Sequence, residues 1–198
     1  MKKLCLILAT FGILISCQEP KKTKPTMDNA KDALSVIHSR KSVREYTPDK
    51  QISKDDLETM VRAGMAAPSA RDIRPWHFVI ISEPAVMKEL AEKLPYAKML
   101  AGASAAIVVC GDTVESPQHW MVDCAAATQN ILLAAEALGI GAVWTAGWPS
   151  PERIDAIRAA VNMPENVLPL NVIPMGYPAK EEQAKDKYDA IRIHWDNF

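Results

Sequence analysis

Ser104-Ala105-Ala106-Ile107-Val108-Val109-Cys110 carries no charge and one hydroxyl. An apolar run of strand length, rich in β-branched residues, belongs in a sheet covered on both faces. A second strand is expected at 76–82, where Trp76-His77-Phe78-Val79-Ile80-Ile81 concentrates aromatic and β-branched side chains. Two more follow. One is Ala142-Val143-Trp144-Thr145, just after Gly139 and Gly141. The last is Val167-Leu168-Pro169-Leu170-Asn171-Val172-Ile173, within 166–176.

Helical patterns alternate with these strands. A first helix is expected from about Asp28, with Ala30, Ala33, Leu34, Ile37 and His38 on one face. Ser53-Lys54-Asp55-Asp56 reads as a helix start of the capping-box kind, with Asp in place of Glu. Leu57, Met60, Val61, Gly64 and Met65 continue that second helix, and Pro68 ends it. Pro84 opens a third, with Val86, Met87, Leu90 and Leu94 as its apolar stripe. The longest spans Gln118 to Leu138 and has few polar sides, so it is central, covered by the domain or by a partner subunit. Pro151 to Val161 forms the last. The order α-α-β-α-β-α-β-α-β predicts an α+β fold with helices covering a sheet. The tail from Tyr177 is polar, yet it holds Tyr188, Ile191, Ile193, Trp195 and Phe198. So many large apolar groups predict an arm that packs on something, a second subunit.

The chain has 198 residues, 48% hydrophobic and 24% charged, the make-up of one globular domain. A net charge of −1 gives no broad pull toward nucleic acid. Met1-Lys2-Lys3, the apolar Leu4 to Ile15 and Leu14-Ile15-Ser16-Cys17 describe an export signal that resembles the lipobox of bacterial lipoproteins. That reading makes 1–16 a signal peptide and 17–28 a lipidated Cys17 with a flexible tether. It leaves 29–198 as the folded domain, held in the cell envelope by a lipid anchor. An ordinary signal peptide with a chance Cys is the alternative. Cys110 and Cys124 are then either two buried small hydrophobes or a disulfide.

The chemistry must be found without the common signatures. The sequence has no GxGxxG, no Walker loop, no GxSxG and no HExxH. Its four His stand in no metal-ligand pattern with Cys, Asp or Glu. A pocket with no catalytic apparatus of its own either binds or lets a cofactor supply the reactivity. Arg40-Lys41-Ser42-Val43-Arg44 offers forked donors, a point charge and a hydroxyl suited to phosphate oxygens. A solvated cationic helix end is the other reading. Farther on, Pro68-Ser69-Ala70-Arg71-Asp72-Ile73-Arg74-Pro75-Trp76 is a polar loop closed by Pro-Trp.

These two stretches are joined by Asp123-Cys124-Ala125-Ala126…Gln129-Asn130, Leu138-Gly139-Ile140-Gly141 and Gly176-Tyr177-Pro178. Five motifs in this order, spanning about residue 30 to the C-terminus, resemble the nitroreductase family of flavin enzymes. The resemblance implies an α+β fold with a mostly antiparallel sheet, and a homodimer exchanging C-terminal arms. It implies FMN at the dimer interface, reduced by NADH or NADPH and reoxidised by a nitroaromatic, quinone or similar small acceptor in a ping-pong cycle. By position, Arg40, Lys41, Ser42 and Arg44 match the phosphate and ribityl contacts. Pro68 and Ser69 match the segment that approaches the ring from the partner. Asp72 stands where the family usually has Asn, and Arg74 where Gln is frequent. An ionised Asp only accepts, so Asp72 either faces a ring donor or pairs with Arg71 or Arg74. Trp144, Thr145 and Ala146 match a strand end beside the ring. Lys187, with Lys185 as the alternative, matches a terminal cation that reaches the phosphate. Export sets up the rival expectation, a membrane-anchored flavin-binding or redox-partner protein without NAD(P)H turnover.

Overall fold

The computed structural model describes residues 33–198. The signal-like 1–16, Cys17, the tether at 17–28 and the start of the first expected helix lie outside the described residues.

The central run forms β2, Ala105–Asp112, and every one of its residues is buried. Its two sides serve two cores, because alternate strand side chains point to opposite faces. Ala105, Ile107 and Val109 pack with Leu57, Met60 and Val61 of α2 (Lys54–Met65) and with Cys124, Ala127 and Ile131 of α4 (Trp120–Ala137). Ala106 and Val108 pack with Met87, Leu90 and Ala91 of α3 (Pro84–Lys93) and Ile157 of α5 (Pro151–Val161). Ile107, Val108 and Val109 have no exposed surface, and burying each is worth roughly 1.5–3 kcal/mol.

β1 (Trp76–Ile81) pairs antiparallel with β2, and β2 pairs antiparallel with β5 (Val167–Gly176). The register on β5 slips between Val109, opposite Asn171, and Cys110, opposite Pro169. A proline, which has no N–H to donate, is tolerated beside such a bulge. The far side of β5 meets β3 (Gly141–Ala142) and β4 (Thr145–Ala146). The single strand expected at 142–145 is thus two short ones. They keep one register, with Ala142 opposite Met175 and Thr145 opposite Val172. Pro174 is the reason for the break. It accepts from Val143 N–H at 3.3 Å but has no N–H to return. Trp144, at the interruption, stays 38% exposed.

The helices follow their sequence signals. Ser53 caps α2 by accepting from Asp56 N–H at 3.0 Å. α2 approaches α4 where Gly64 faces Ile131; a Cβ there would lie 2.9 Å from Ile131 Cγ1. Asn130 Nδ2 donates to Ala63 O at 3.0 Å and fixes that crossing. α1 (Ala33–Ser39) corrects one expectation. Its buried residue is Val36, while Leu34 and Ile37 are 67% and 48% exposed. The apolar face read from the sequence is real but finds no cover within the described residues. Cys110 and Cys124 are both buried free thiols, so the disulfide alternative does not hold.

Candidate functional site

The cationic stretch lies against the sheet. Ser42 bridges Ala142 in parallel, and Val43 N–H donates to Ala142 O at 3.0 Å. Thr47 N–H donates to Tyr177 O at 2.7 Å, and Ala179 N–H to Glu45 O at 3.0 Å. Val43 and Tyr46 point inward, at 2% and 9% exposure, so Arg44 is turned out between them. The Tyr46 hydroxyl lies 3.0 Å from both Val43 O and Pro174 O, and burial pushes its pKa well above the ordinary phenol value. Two glycines make room for these anchors. A Cβ on Gly141 would lie 2.6 Å from Val43 Cγ1, and one on Gly176 would lie 2.8 Å from the Tyr46 ring. The Leu138–Gly141 and Gly176–Pro178 motifs are therefore the bed on which the cationic stretch rests.

Above that bed is a cavity of about 400 Å³ lined by Arg40, Lys41, Ser42, Arg44, Glu182, Gln183, Lys185 and Lys187. A neighbouring hollow of about 560 Å³ shares Arg40, Lys185 and Lys187 and adds Ile37, His38 and Tyr188. Lys185 and Lys187 thus both reach the cavity. Lys41 differs from the other cations. Its Nζ lies 3.3 Å from a Glu136 carboxylate oxygen on α4, with side chains only 22% and 10% exposed. It contributes charge from a fixed position, while Arg40 and Arg44 line the cavity without such a tie among the described residues.

The polar loop after α2 has an unusual backbone. Arg71, Asp72 and Arg74 have φ of 55°, 57° and 58°, the left-handed region that side chains disfavour. Ser69 Oγ accepts from Arg74 N–H at 3.0 Å, and Asp72 N–H donates to Ser69 O at 3.1 Å. Arg74 grips Asp72 with both ends of its guanidinium, Nε to Oδ1 at 2.7 Å and Nη2 to Oδ2. That grip holds the Asp72 carboxyl below the usual carboxylate range. Of the two roles open to Asp72, the structure shows pairing with Arg74. Ala70 N–H donates to Asp123 Oδ1 at 3.0 Å.

At the third segment the Thr145 hydroxyl donates to Val172 O at 2.7 Å, so it is spent inside the sheet. Ala146 and Trp144 remain exposed. The fold brings Arg40, Lys41, Ser42, Arg44, Lys185 and Lys187 into one cavity. Pro68, Ser69, Asp72, Trp144 and Ala146 lie elsewhere on the surface and the buried Thr145 lies within the sheet, so none of the six lines that cavity. Among the described residues no three His, Cys, Asp or Glu are grouped to hold a metal ion, and no helix is long and apolar enough to cross a membrane. Sequence reasoning missed the Glu136 tie to Lys41 and the role of Asp123. Asp123 stood inside a quoted motif, but nothing local marked what it reaches 53 positions away.

The cation cavity fits a phosphate monoester, with forked and point charges converging on one opening. Known proteins resemble this chain along most of its length. The model of the nitroreductase family matches residues 37–95 and 91–177. An Archaeoglobus fulgidus protein, provisionally named an NADH dehydrogenase/NAD(P)H nitroreductase, is 43% identical over 169 residues, 82% of this chain and 97% of its own length. A crystal structure from Bacteroides thetaiotaomicron with the same provisional name is 52% identical, covers 85% of this chain and 99% of the other, and has a TM-score of 0.82. A Desulfovibrio desulfuricans structure, provisionally a nitroreductase and in complex with FMN, is 27% identical, covers 85% and 98% of the two chains, and has a TM-score of 0.71.

Proposed function

The chain belongs to the nitroreductase family, and from that premise we propose that it is an FMN-dependent, NAD(P)H-linked oxidoreductase acting as a homodimer. The observation that carries the reading is the convergence of Arg40, Ser42, Arg44, Lys185 and Lys187 on one cavity. Lys41 backs it, fixed by Glu136. Charge-assisted bonds of this kind are worth about 1.5–3 kcal/mol each. In this reading the cavity takes the FMN phosphate. Ser69, the backbone of the 68–74 loop and the Trp144–Ala146 strand end face the ring, with Pro68 and Asp72 beside it. FMN held there would supply the redox chemistry between NADH or NADPH and a nitroaromatic, quinone or similar small acceptor.

The protein's own work is to bind, align and exclude water. The ring-facing segments do not line the phosphate cavity of their own chain, which supports a site completed by a second subunit. Exposed Leu34 and Ile37 on α1, Met121 and Val122 on α4, and Tyr188, Ile191, Trp195 and Phe198 on the arm support the same dimer. The Leu14–Cys17 segment supports a lipid anchor at Cys17 in the cell envelope. The test is an absorbance spectrum of the purified protein, followed by titration with NADH and NADPH. Flavin colour and bleaching by either donor are expected. A colourless protein that takes up no added FMN overturns the reading.

A further inference from the structure

We propose that Asp123 is a positioning residue: from the first turn of α4 it holds the Ser69–Arg74 loop in shape, and through that loop the flavin ring. The second half of this proposal rests on the reading of the site given above; the first half stands on geometry alone.

The loop needs an external hold. Three residues with side chains, Arg71, Asp72 and Arg74, sit in the left-handed region. Such conformations persist only where the surroundings over-determine them. The hydrogen bonds from Asp72 N–H to Ser69 O, Ile73 N–H to Ala70 O, and Arg74 N–H to Ser69 Oγ all tie the loop to itself. Asp72 and Arg74, exposed, also grip only each other. The bond from Ala70 N–H to Asp123 Oδ1, at 3.0 Å, instead ties the middle of the loop to the core helix.

The acceptor in that hold is costly. Asp123 is 5% exposed, and its Oδ2 is buried with no hydrogen-bond partner. An unsatisfied carboxylate oxygen destabilises the fold that keeps it. An apolar side chain would fill the space at lower cost, but it would offer no oxygen to the Ala70 N–H. Asp123 is suited to fixing a strained loop, and poorly suited to packing.

The experiment uses the full chain in flavin-free and FMN-loaded forms. Trypsin cuts after Arg71 but not at Arg74, which precedes proline, so cleavage of the Arg71–Asp72 bond reports loop opening. In flavin-free Asp123→Ala this cleavage is expected to rise at least about 10-fold. Asp123→Asn, which keeps an oxygen toward Ala70, should stay within about 3-fold of the parent. FMN affinity should fall about 10-fold in Asp123→Ala. Affinity for inorganic phosphate, which meets only the cation cavity, should not change; a general loss of structure would lower both. A folded Asp123→Ala with unchanged cleavage overturns the proposal. Faster cleavage with unchanged FMN affinity overturns its flavin half. If Asp123→Ala does not fold, hydrogen exchange on the parent decides: an Ala70 amide that exchanges as fast as that of Arg71 overturns the hold. Failure of the parent to bind FMN overturns the functional reading, while the cleavage and exchange arms still judge the hold.

Discussion

Gly141→Ala should damage cofactor binding from beneath the site, without touching a residue that meets the ligand. The added Cβ would stand 2.6 Å from Val43 Cγ1, 2.7 Å from Val43 Cβ and 3.1 Å from Cγ2. Carbon contacts are comfortable from about 3.5 Å, so the Val43 backbone must withdraw by roughly 1 Å. Val43 is 2% exposed and bonded through its N–H to Ala142 O at 3.0 Å. A 1 Å withdrawal takes that bond beyond hydrogen-bonding range. Overpacking costs about 1–3 kcal/mol, and the lost bond about 0.5–1.5 kcal/mol. Lower chain entropy in the unfolded state returns about 0.4–1 kcal/mol. The net is a loss of about 0.5–4 kcal/mol. For a chain of this size each kcal/mol lowers the melting temperature by roughly 2–4 °C. Because Arg40, Ser42 and Arg44 move with Val43, FMN affinity should fall further than stability does. Fluorescence titration of FMN beside thermal melting measures both. Val43→Ala cannot rescue the variant, since its Cβ remains, whereas Val43→Gly removes the overlap. Unchanged FMN affinity in Gly141→Ala, or full rescue by Val43→Ala, refutes the reasoning.

Further outcomes follow from the same contacts. Arg40→Ala should lower FMN affinity strongly with little change in melting temperature. Lys41→Ala should cost more stability than affinity, because it removes one ion-pair partner of the largely buried Glu136. Calorimetry beside FMN titration separates the two. Asp72 is held below its ordinary range by Arg74. The stabilising pair is therefore complete above the ordinary carboxyl pKa of about 4 and is lost as the pH falls through the lowered value. Tryptic cleavage being impractical there, proton NMR of the 69–74 amides should show the loop loosening in acid, and Asp72→Asn should remove that pH dependence. Burial pushes the Cys110 thiol up to about 12 and raises Cys124 as well. Stability should then be intact below the ordinary thiol pKa of about 8.5 and fall above it by about 1.4 kcal/mol per pH unit per thiol. Denaturant midpoints between pH 9 and 10 should show that slope, and Cys110→Ala should roughly halve it.

The fold was legible wherever one residue type forces one structure. Ser53 and Pro84 started helices where expected, and the unbroken apolar run became the strand buried on both sides. The split of the third strand was not legible at 142–145, because its cause, Pro174, lies on the neighbouring strand. The exposed face of α1 was equally hidden, since an apolar stripe shows that something covers a helix and not what does. At the site, the basic stretch could be read because phosphate recognition leaves its charges in the sequence. Asp123 and Glu136 could not be, because a carboxylate that grips a backbone N–H or a lysine leaves no local pattern of its own.

The threading of the sheet also sets a clock on synthesis. β5 is flanked by β2 on one side and by β3 and β4 on the other, yet it is the last strand to be made. Until residues 167–176 emerge from the ribosome, the apolar edge of β2 lacks its neighbour and the Tyr46 ring has no Gly176 to lie on. The cation cavity needs Lys185 and Lys187 as well as Arg40. At the usual ~5–20 residues per second, roughly 7–30 s separate its first residue from its last. A nascent chain cannot acquire an anionic cofactor at this cavity in that interval. Through that interval the edge of β2 that β5 will cover stays open.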